Sequence, residues 1–578
     1  MRSFKELQKV LINQKENYPT LRVALLGDSA TQFLSVALRA LALENGYLID
    51  LFESDYDQVE RQCLDLSSDL YEFKADYVII CQSTQKLLAN YNQRGLEDQV
   101  NLANDRVDFV KTISQSIHSK LVYFNYPEID DCIFGSFANS VEASFLYQVR
   151  SLNHELMDLS RLTPNLFICD LASVQNKIGR DFLFSPSLNA TSGMVYSLDA
   201  IPLVMSRALD IILALQGRLK KCLILDLDNT LWGGVIGDDG IENIQIGQGR
   251  GIGKAFTELQ EWARKLKDRG ILLAVCSKNT ESIAREPFEK HPDMVLKLED
   301  FSVFVANWDN KADNIRRIQQ TLNIGFESMV FLDDNPFERN IVRENLPSVT
   351  VPELPNDPSN YLEYLYSLNV FETASFSKED VNRTRLYQVE AQRVSQKNSF
   401  TNEDEFLASL NMQSEVKPFD RFTFARVAQL TQRSNQFNLR TKRYSESDIE
   451  KLSRDHENYH GLTFTLSDKF GSNGLISVII LNKQDNSTLF IDTWLLSCRV
   501  LKRGMENFTI NTLVDYAVKN GYSKIVGEYI ATAKNEMVST HYEDLGFTRI
   551  ASGKNILYEL SIETYKERVT YIISEKPL

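Results

Sequence analysis

The stretch CLILDLDNTLWGG sets Asp226 and Asp228 at the end of an apolar run that starts at Cys222. A buried parallel strand would deliver both carboxylates to its carboxyl end, the edge where open α/β sheets bind ligands. Extended backbone points two acids at this spacing to one side, and their repulsion calls for a cation. Mg²⁺ is the natural one, because a hard ion takes carboxylate and phosphate oxygens. Two further strand ends repeat the logic: Ser277 follows ILLAVC, and Asp333 and Asp334 follow MVFL, with Lys311 at the start of a helix between them. DLDNT alone would also suit a surface turn; four ordered elements, each at a strand or helix end, favour a site.

The elements that must hold these residues read as two α/β series. From Leu21 the chain gives a strand (LRVALLGDS), an amphipathic helix (TQFLSVALRALALENG) and a strand (YLIDLFES), with ADYVIICQS, KLVYFNY and NLFICDL continuing the alternation. A second series begins at Cys222 and ends at PELPNDPSN, where three prolines break any regular element. Charged helical sequence follows from Ser377 to Asn411. The strand-like runs LTFTLSD, LISVIILN, STLFIDTWLLS and KIVGEYIA then predict an antiparallel α+β domain. The expected organisation is α/β multidomain: 1–215, 216–355, a helical linker at 356–418, and 419–578.

The 578 residues exceed what one hydrophobic core supports. Charged residues at 24% and hydrophobic ones at 43% exclude a disordered or low-complexity chain. Lys plus Arg number 63 against 78 Asp plus Glu, a net charge of −15, so a nucleic-acid partner is not expected. No apolar run reaches the ~20 residues that span a bilayer, and Met1 to Glu16 lacks the apolar core of a secretory signal. Seven cysteines without a C-x-x-C pair suit reduced thiols. The expectation is a cytoplasmic protein with no membrane partner.

D-x-D-x-T, a strand-terminal Ser, a Lys and a strand-terminal Asp pair, in that order, resemble the haloacid dehalogenase superfamily. The resemblance implies that Asp226 attacks phosphorus to form an aspartyl phosphate, while Asp228 protonates the leaving group and then activates water. Thr230, Ser277 and Lys311 would hold phosphoryl oxygens; Asp226, the Asp228 carbonyl and Asp333 or Asp334 would hold Mg²⁺. The short intervals between these motifs leave no room for a cap domain, so the site should be open and suit a bulky or carrier-borne substrate. LDLDNTLWGGVIGDDG, AVCSKN, NWDNK and FLDDNPFER, with QLTQRSNQFNLRTKRY, DKFGSNGLISV and SCRVLKRGME downstream, resemble the FkbH-like branch over about residues 200–560. That branch implies uptake of 1,3-bisphosphoglycerate, a glyceryl thioester on a cysteine, loss of phosphate and transfer of the glyceryl unit to an acyl carrier protein. Cys276 is the candidate thiol, its pKa lowered by Mg²⁺ and Lys311, and Cys498 is the second choice. The alternatives are a plain phosphatase of another phosphorylated small molecule, and a non-catalytic carrier-binding scaffold.

The segment from about Phe419 resembles the GNAT acyltransferase fold, whose R/Q-x-x-G-x-G/A loop opens a helix that cradles the coenzyme A or pantetheine pyrophosphate. Here the pattern reads Arg499-Val-Leu-Lys502-Arg503-Gly504, with Lys502 in place of the first glycine. Arg499, Arg503 and Gly504 are the implied carrier or coenzyme contacts, and Tyr542 stands where some such enzymes keep a general acid. The N-terminal GDS, Gly27 to Ser29, resembles the first block of SGNH hydrolases. The other blocks are missing, so a degenerate SGNH-like domain is expected, with Asp28 and Ser29 capping the helix that follows.

Overall fold

The computed structural model describes residues 2–575 apart from 13–17, 250, 377–379, 381–382, 398–399, 401, 486, 498–499, 533, 552 and 554. The chain divides into two compact units, Met1–Leu215 and Gln216–Leu578. Among the described residues no helix is long and apolar enough to cross a membrane.

The first unit is built on five strands: β1 (Thr20–Gly27), β2 (Leu48–Glu53), β3 (Tyr77–Cys81), β4 (Lys120–Phe124) and β5 (Leu166–Cys169). All pair in parallel in the order β2-β1-β3-β4-β5. Strand β3, YVIIC, is buried at every position, as a central parallel strand covered on both faces must be. The order reverses direction between β1 and β3, so the crevice expected of such a sheet opens beyond Gly27 and Cys81.

The second unit holds two sheets. The first takes β6 (Cys222–Leu225), β7 (Leu272–Ser277), β8 (Phe301–Ala306) and β9 (Met329–Leu332), all parallel, in the order β8-β7-β6-β9. Strands β6 and β9 are fully buried, and register sets Leu225 level with Val275 and with Leu332. The residues after β6 and β9 therefore emerge side by side. Strand β8 was not among the expected strands; it lies at the sheet edge, and three of its six residues are only half-buried, which blurs the apolar run that marks a central strand.

The second sheet runs β16-β17-β15-β14-β13-β12-β10-β18, with β11 also on β12. Its long members are β12 (Tyr459–Asp468), β13 (Gly471–Lys483), β14 (Thr488–Leu496), β15 (Lys524–Ile530) and β17 (Asn555–Ser561), and its short ones β10 (Met412–Ser414), β11 (Val416–Pro418), β16 (Thr548–Ala551) and β18 (Ile572–Ser574). It is mixed, because β14 pairs β15 in parallel and β10 pairs β18 in parallel. It also begins within the segment expected to be linker. The rest of that segment joins the two sheets. In the helix Arg383–Lys397, Gln388 donates to the Glu299 and Phe301 carbonyls beside β8, while Arg393 pairs with the buried Asp468 of β12 at 2.8 Å.

Candidate active site

Asp226 follows β6 and continues its pairing, its N–H donating to the Leu332 carbonyl at 3.0 Å. The residue is 6% exposed. Asp226 Oδ2 lies 3.0 Å from Lys311 Nζ; Oδ1, equally buried, has no hydrogen-bond partner among the described residues. Lys311 opens the helix Lys311–Leu322, whose cap is Asn310, and it also reaches Asp333 Oδ2 at 2.5 Å. Burial opposes its charge, but Asp226 and Asp333 outweigh that and hold the ammonium strongly protonated.

Asp333 and Asp334 follow β9, and oxygens of Asp226, Asp333 and Asp334 lie within 4.8 Å of one another. The turn that carries the pair is held from both sides. Arg339 Nη1 donates to the Asp333 and Asp334 carbonyls, the Asn335 N–H donates to Asp333 Oδ1, and the Asp334 N–H donates to Thr230 Oγ1. Burial, then the Asp226 charge, push Asp333 up to about 7 and Asp334 up to about 6. Three converging buried carboxylates, one with an orphaned oxygen, fit a divalent cation with oxygen ligands. Carboxyl oxygens of both acids reach the cluster.

Asp228 is reached through a sharp turn, for Asn229 takes a left-handed φ of 53°. Its Oδ1 accepts from Trp232 Nε1 at 2.9 Å and from the Ile236 N–H at 3.0 Å, and its Oδ2 accepts from Asn279 Nδ2 at 3.2 Å. Burial raises its pKa, against the pull of these donors. Trp232, Asn279 and Arg339 are thus part of the arrangement although the sequence did not single them out. All three stand inside the quoted motifs, in DNTLW, SKN and FLDDNPFER. Ser277 ends β7 and is 1% exposed.

Thr230 is fully buried and its hydroxyl accepts the Asp334 N–H, which ties it to the acidic turn. Cys276 is also fully buried, packed with Ala274, Ala312 and Phe331 under the Lys311–Leu322 helix, its Sγ 3.7 Å from the Lys311 carbonyl. Burial pushes its thiol well up in spite of Lys311, the opposite of the expected activation. Cys498 and Arg499 lie outside the described residues.

In the C-terminal sheet, Gly504 takes φ 75° and opens the helix Met505–Lys519. Lys502 also sits left-handed, at φ 62°. Arg503 does not face a ligand: it is 5% exposed and paired with Glu390 and with Asp468 at 3.2 Å. Tyr542 is 1% exposed among Trp494, Phe547 and Tyr558, its ring filling the space left by Gly527, which is no place for a general acid. Strands β14 and β15 pair only from Thr488–Lys524 to Ile491–Gly527. Beyond that, the chain's own Phe437–Leu439 segment lies between them: the Leu496 N–H donates to the Phe437 carbonyl, the Leu439 N–H to Trp494, and the Ile530 N–H to Leu439. In the first unit, Asp28 accepts the Ser83 N–H at 2.9 Å instead of capping the following helix, whose N-cap is Thr31. The unit's two histidines, His118 and His154, are exposed, so neither serves the buried Ser29.

Residues 22–213 match the family described as FkbH, N-terminal domain. A solved structure, the N-terminal part of the protein BF1531 from Bacteroides fragilis containing a phosphatase domain complexed with Mg, is 58% identical; the match covers 65% of this chain and 100% of that one, with a TM-score of 0.64. This chain belongs to the FkbH-like family of the haloacid dehalogenase superfamily. Its C-terminal part is similar to a putative acetyltransferase of the GNAT family from Desulfovibrio desulfuricans (13% identity, 26% of this chain and 99% of that one, TM-score 0.22) and to spermidine N-acetyltransferase from Vibrio cholerae in complex with CoA and spermine (16%, 26% and 96%, TM-score 0.21). No curated protein matches.

Proposed function

We propose that this FkbH-like protein is a Mg²⁺-dependent phosphatase working through Asp226. The observation that carries the reading is the buried Asp226 carboxylate, with Oδ2 on Lys311 and Oδ1 unpartnered, beside Asp333 and Asp334. A buried carboxylate oxygen without a partner is costly unless a cation or an electrophile takes it up. Asp226 forms a bond to phosphorus as the bond to the leaving oxygen breaks, and Asp228 gives its proton to that oxygen. Asp228 then takes a proton from water, the water oxygen displaces Asp226, and phosphate leaves. Lys311 and Ser277 bind the phosphoryl oxygens; Asp226, Asp333, Asp334 and the Asp228 carbonyl would hold Mg²⁺, which when bound neutralises charge on the phosphoryl group. Trp232, Ile236 and Asn279 orient the Asp228 carboxyl.

The finer reading is that the substrate is a phosphorylated three-carbon acid whose glyceryl unit is passed to an acyl carrier protein. Family membership and the absence of an inserted cap among the described residues support it. The buried Cys276 does not, so a thioester would need another thiol. The test uses the full chain with p-nitrophenyl phosphate and Mg²⁺, comparing wild type with Asp226→Asn. A fall in kcat on the order of 10⁴-fold or more, with the thermal transition kept, is expected; retention of Mg²⁺-dependent turnover overturns the nucleophile. In the same preparations, intact-mass measurement after 1,3-bisphosphoglycerate separates the two readings: a glyceryl adduct supports carrier loading, and phosphate release without one leaves the plain phosphatase.

A further inference from the structure

The first unit holds a cavity of about 210 Å³ that the proposed phosphoryl chemistry leaves unused. It lies beyond the carboxyl ends of β1 and β3, where the strand order reverses and where an open parallel sheet binds its ligands. Three strand ends supply its walls: Asp28 follows β1, Asp57 and Glu60 come from the chain after β2, and Gln82 follows β3. The helix Thr84–Asn92 adds Lys86 and Asn90, one turn apart and so on one face, and the helix Leu102–Ser116 adds Arg106.

Among the described residues the charges of this cavity are matched within it. Lys86 Nζ lies 3.0 Å from Asp57 Oδ2, and Arg106 Nη1 lies 3.4 Å from Glu60 Oε1, so each cation has a carboxylate of its own. The remaining acid, Asp28, is buried and takes the Ser83 N–H on both oxygens, at 3.0 and 2.9 Å. Burial pushes it up to about 7, which lets the carboxyl donate as well as accept near neutrality. What stays open is neutral. Gln82 Oε1 accepts from Arg106 Nη1 at 3.3 Å and from the Tyr123 hydroxyl at 2.8 Å. A guanidinium only donates, so the amide is fixed with its oxygen toward Arg106, and its Nε2 has no partner among the described residues. Neither end of the half-buried Asn90 amide has one either. Tyr56, 59% exposed, stands beside this wall with Lys86 Nζ 5.6 Å from its ring.

We propose that this cavity binds a neutral polyol of the size of a small sugar. Matched ion pairs leave no charge for an anion or a cation to answer. Hydroxyls both donate and accept, which suits a wall that sets the Gln82 and Asn90 amides beside the Asp28 carboxyl. At roughly 30 Å³ for each water, the volume replaces about seven of them, room for a chain or ring of several hydroxylated carbons. The Arg106 and Tyr123 bonds hold the Gln82 amide in place before a ligand arrives, and the Tyr56 ring offers an apolar face to the C–H side of a sugar. None of these residues belongs to the phosphoryl site, and binding here is independent of catalysis there.

The test is saturation-transfer NMR of the full chain with glycerol, D-xylose and D-glucose, and with D-gluconate as the charged counterpart. Saturable transfer to at least one of the neutral polyols is expected. Gln82→Met keeps the length of the side chain and removes the amide, and should weaken that binding at least about tenfold. Asp226→Asn, at the other site, should leave it unchanged. Should Gln82→Met not fold, Asn90→Ala, which has no hydrogen bond to lose, takes its place, with a loss of about fivefold or more. Both cavity variants should hydrolyse p-nitrophenyl phosphate like wild type. No transfer to any neutral polyol, binding that neither variant weakens, or a preference for gluconate over glucose overturns the proposal.

Discussion

Thr230 shows how a residue's type and its task can part. In the sequence it is the hydroxyl of D-x-D-x-T, available to a phosphoryl oxygen; in the fold it is buried and accepts the Asp334 N–H. Thr230→Val keeps the shape and removes the acceptor, which leaves a buried N–H unsatisfied at a cost of about 1–2 kcal/mol. Because Asp334 belongs to the carboxylate cluster, the Mg²⁺ concentration for half-maximal activity should rise about tenfold, while KM for p-nitrophenyl phosphate at saturating Mg²⁺ stays unchanged. A raised KM with unchanged Mg²⁺ dependence would restore the phosphate contact. Asp226, Asp228, Lys311, Asp333 and Asp334 were legible because each stands where an apolar run or a helix cap stops. Trp232 and Asn279 were not, because their contact with Asp228 depends on the left-handed turn at Asn229. Cys276 misled for a related reason: standing one residue from Ser277 brings it close to the site in sequence, but the helix laid over it settles its burial.

At the level of elements, the parallel strands were readable as apolar runs, whereas edge strand β8 and the joining of β14 to β15 were not. The Phe437–Leu439 segment is the clearest case. Nothing in RSNQFNLR alternates like a strand, yet its backbone lies between β14 and β15 where they part, and Asn535 fastens it. Asn535 is fully buried; its Nδ2 donates to the Asn438 carbonyl at 2.9 Å and the Ile530 carbonyl at 3.0 Å, and its Oδ1 accepts the Thr532 N–H at 2.8 Å. Asn535→Ala should therefore destabilise the second unit by about 2–3 kcal/mol and lower its thermal transition by about 5 °C or more. With the space between the strands already filled, coenzyme A should not raise the wild-type transition. A clear rise with coenzyme A would show that the segment yields to a ligand.

Across the whole molecule, the buried charges set how stability follows pH, and the first unit offers the simplest case. Asp28 stands at the point where strand order reverses, 6% exposed, beside a cavity of about 210 Å³ that Gln82, Ser83, Lys86, Arg106 and Tyr126 help to line. Burial pushes its pKa up to about 7, although the Ser83 N–H and Arg106 work the other way. In the unfolded chain the same group titrates near 4. Between about pH 4 and 7 the folded state therefore holds a proton that the unfolded state has lost, so stability is greatest below this window and falls as pH rises through it. At roughly 1.4 kcal/mol per unit, the decline amounts to about 4 kcal/mol as an upper figure. Asp28→Asn keeps an acceptor for Ser83 and removes the titration. Amide-exchange protection of β1 and β3 should fall between pH 5 and 7.5 in the wild type and stay level in the variant. Equal pH dependence in both proteins would mean that Asp28 ionises as an ordinary carboxylate, and that Arg106 and the Ser83 N–H offset its burial.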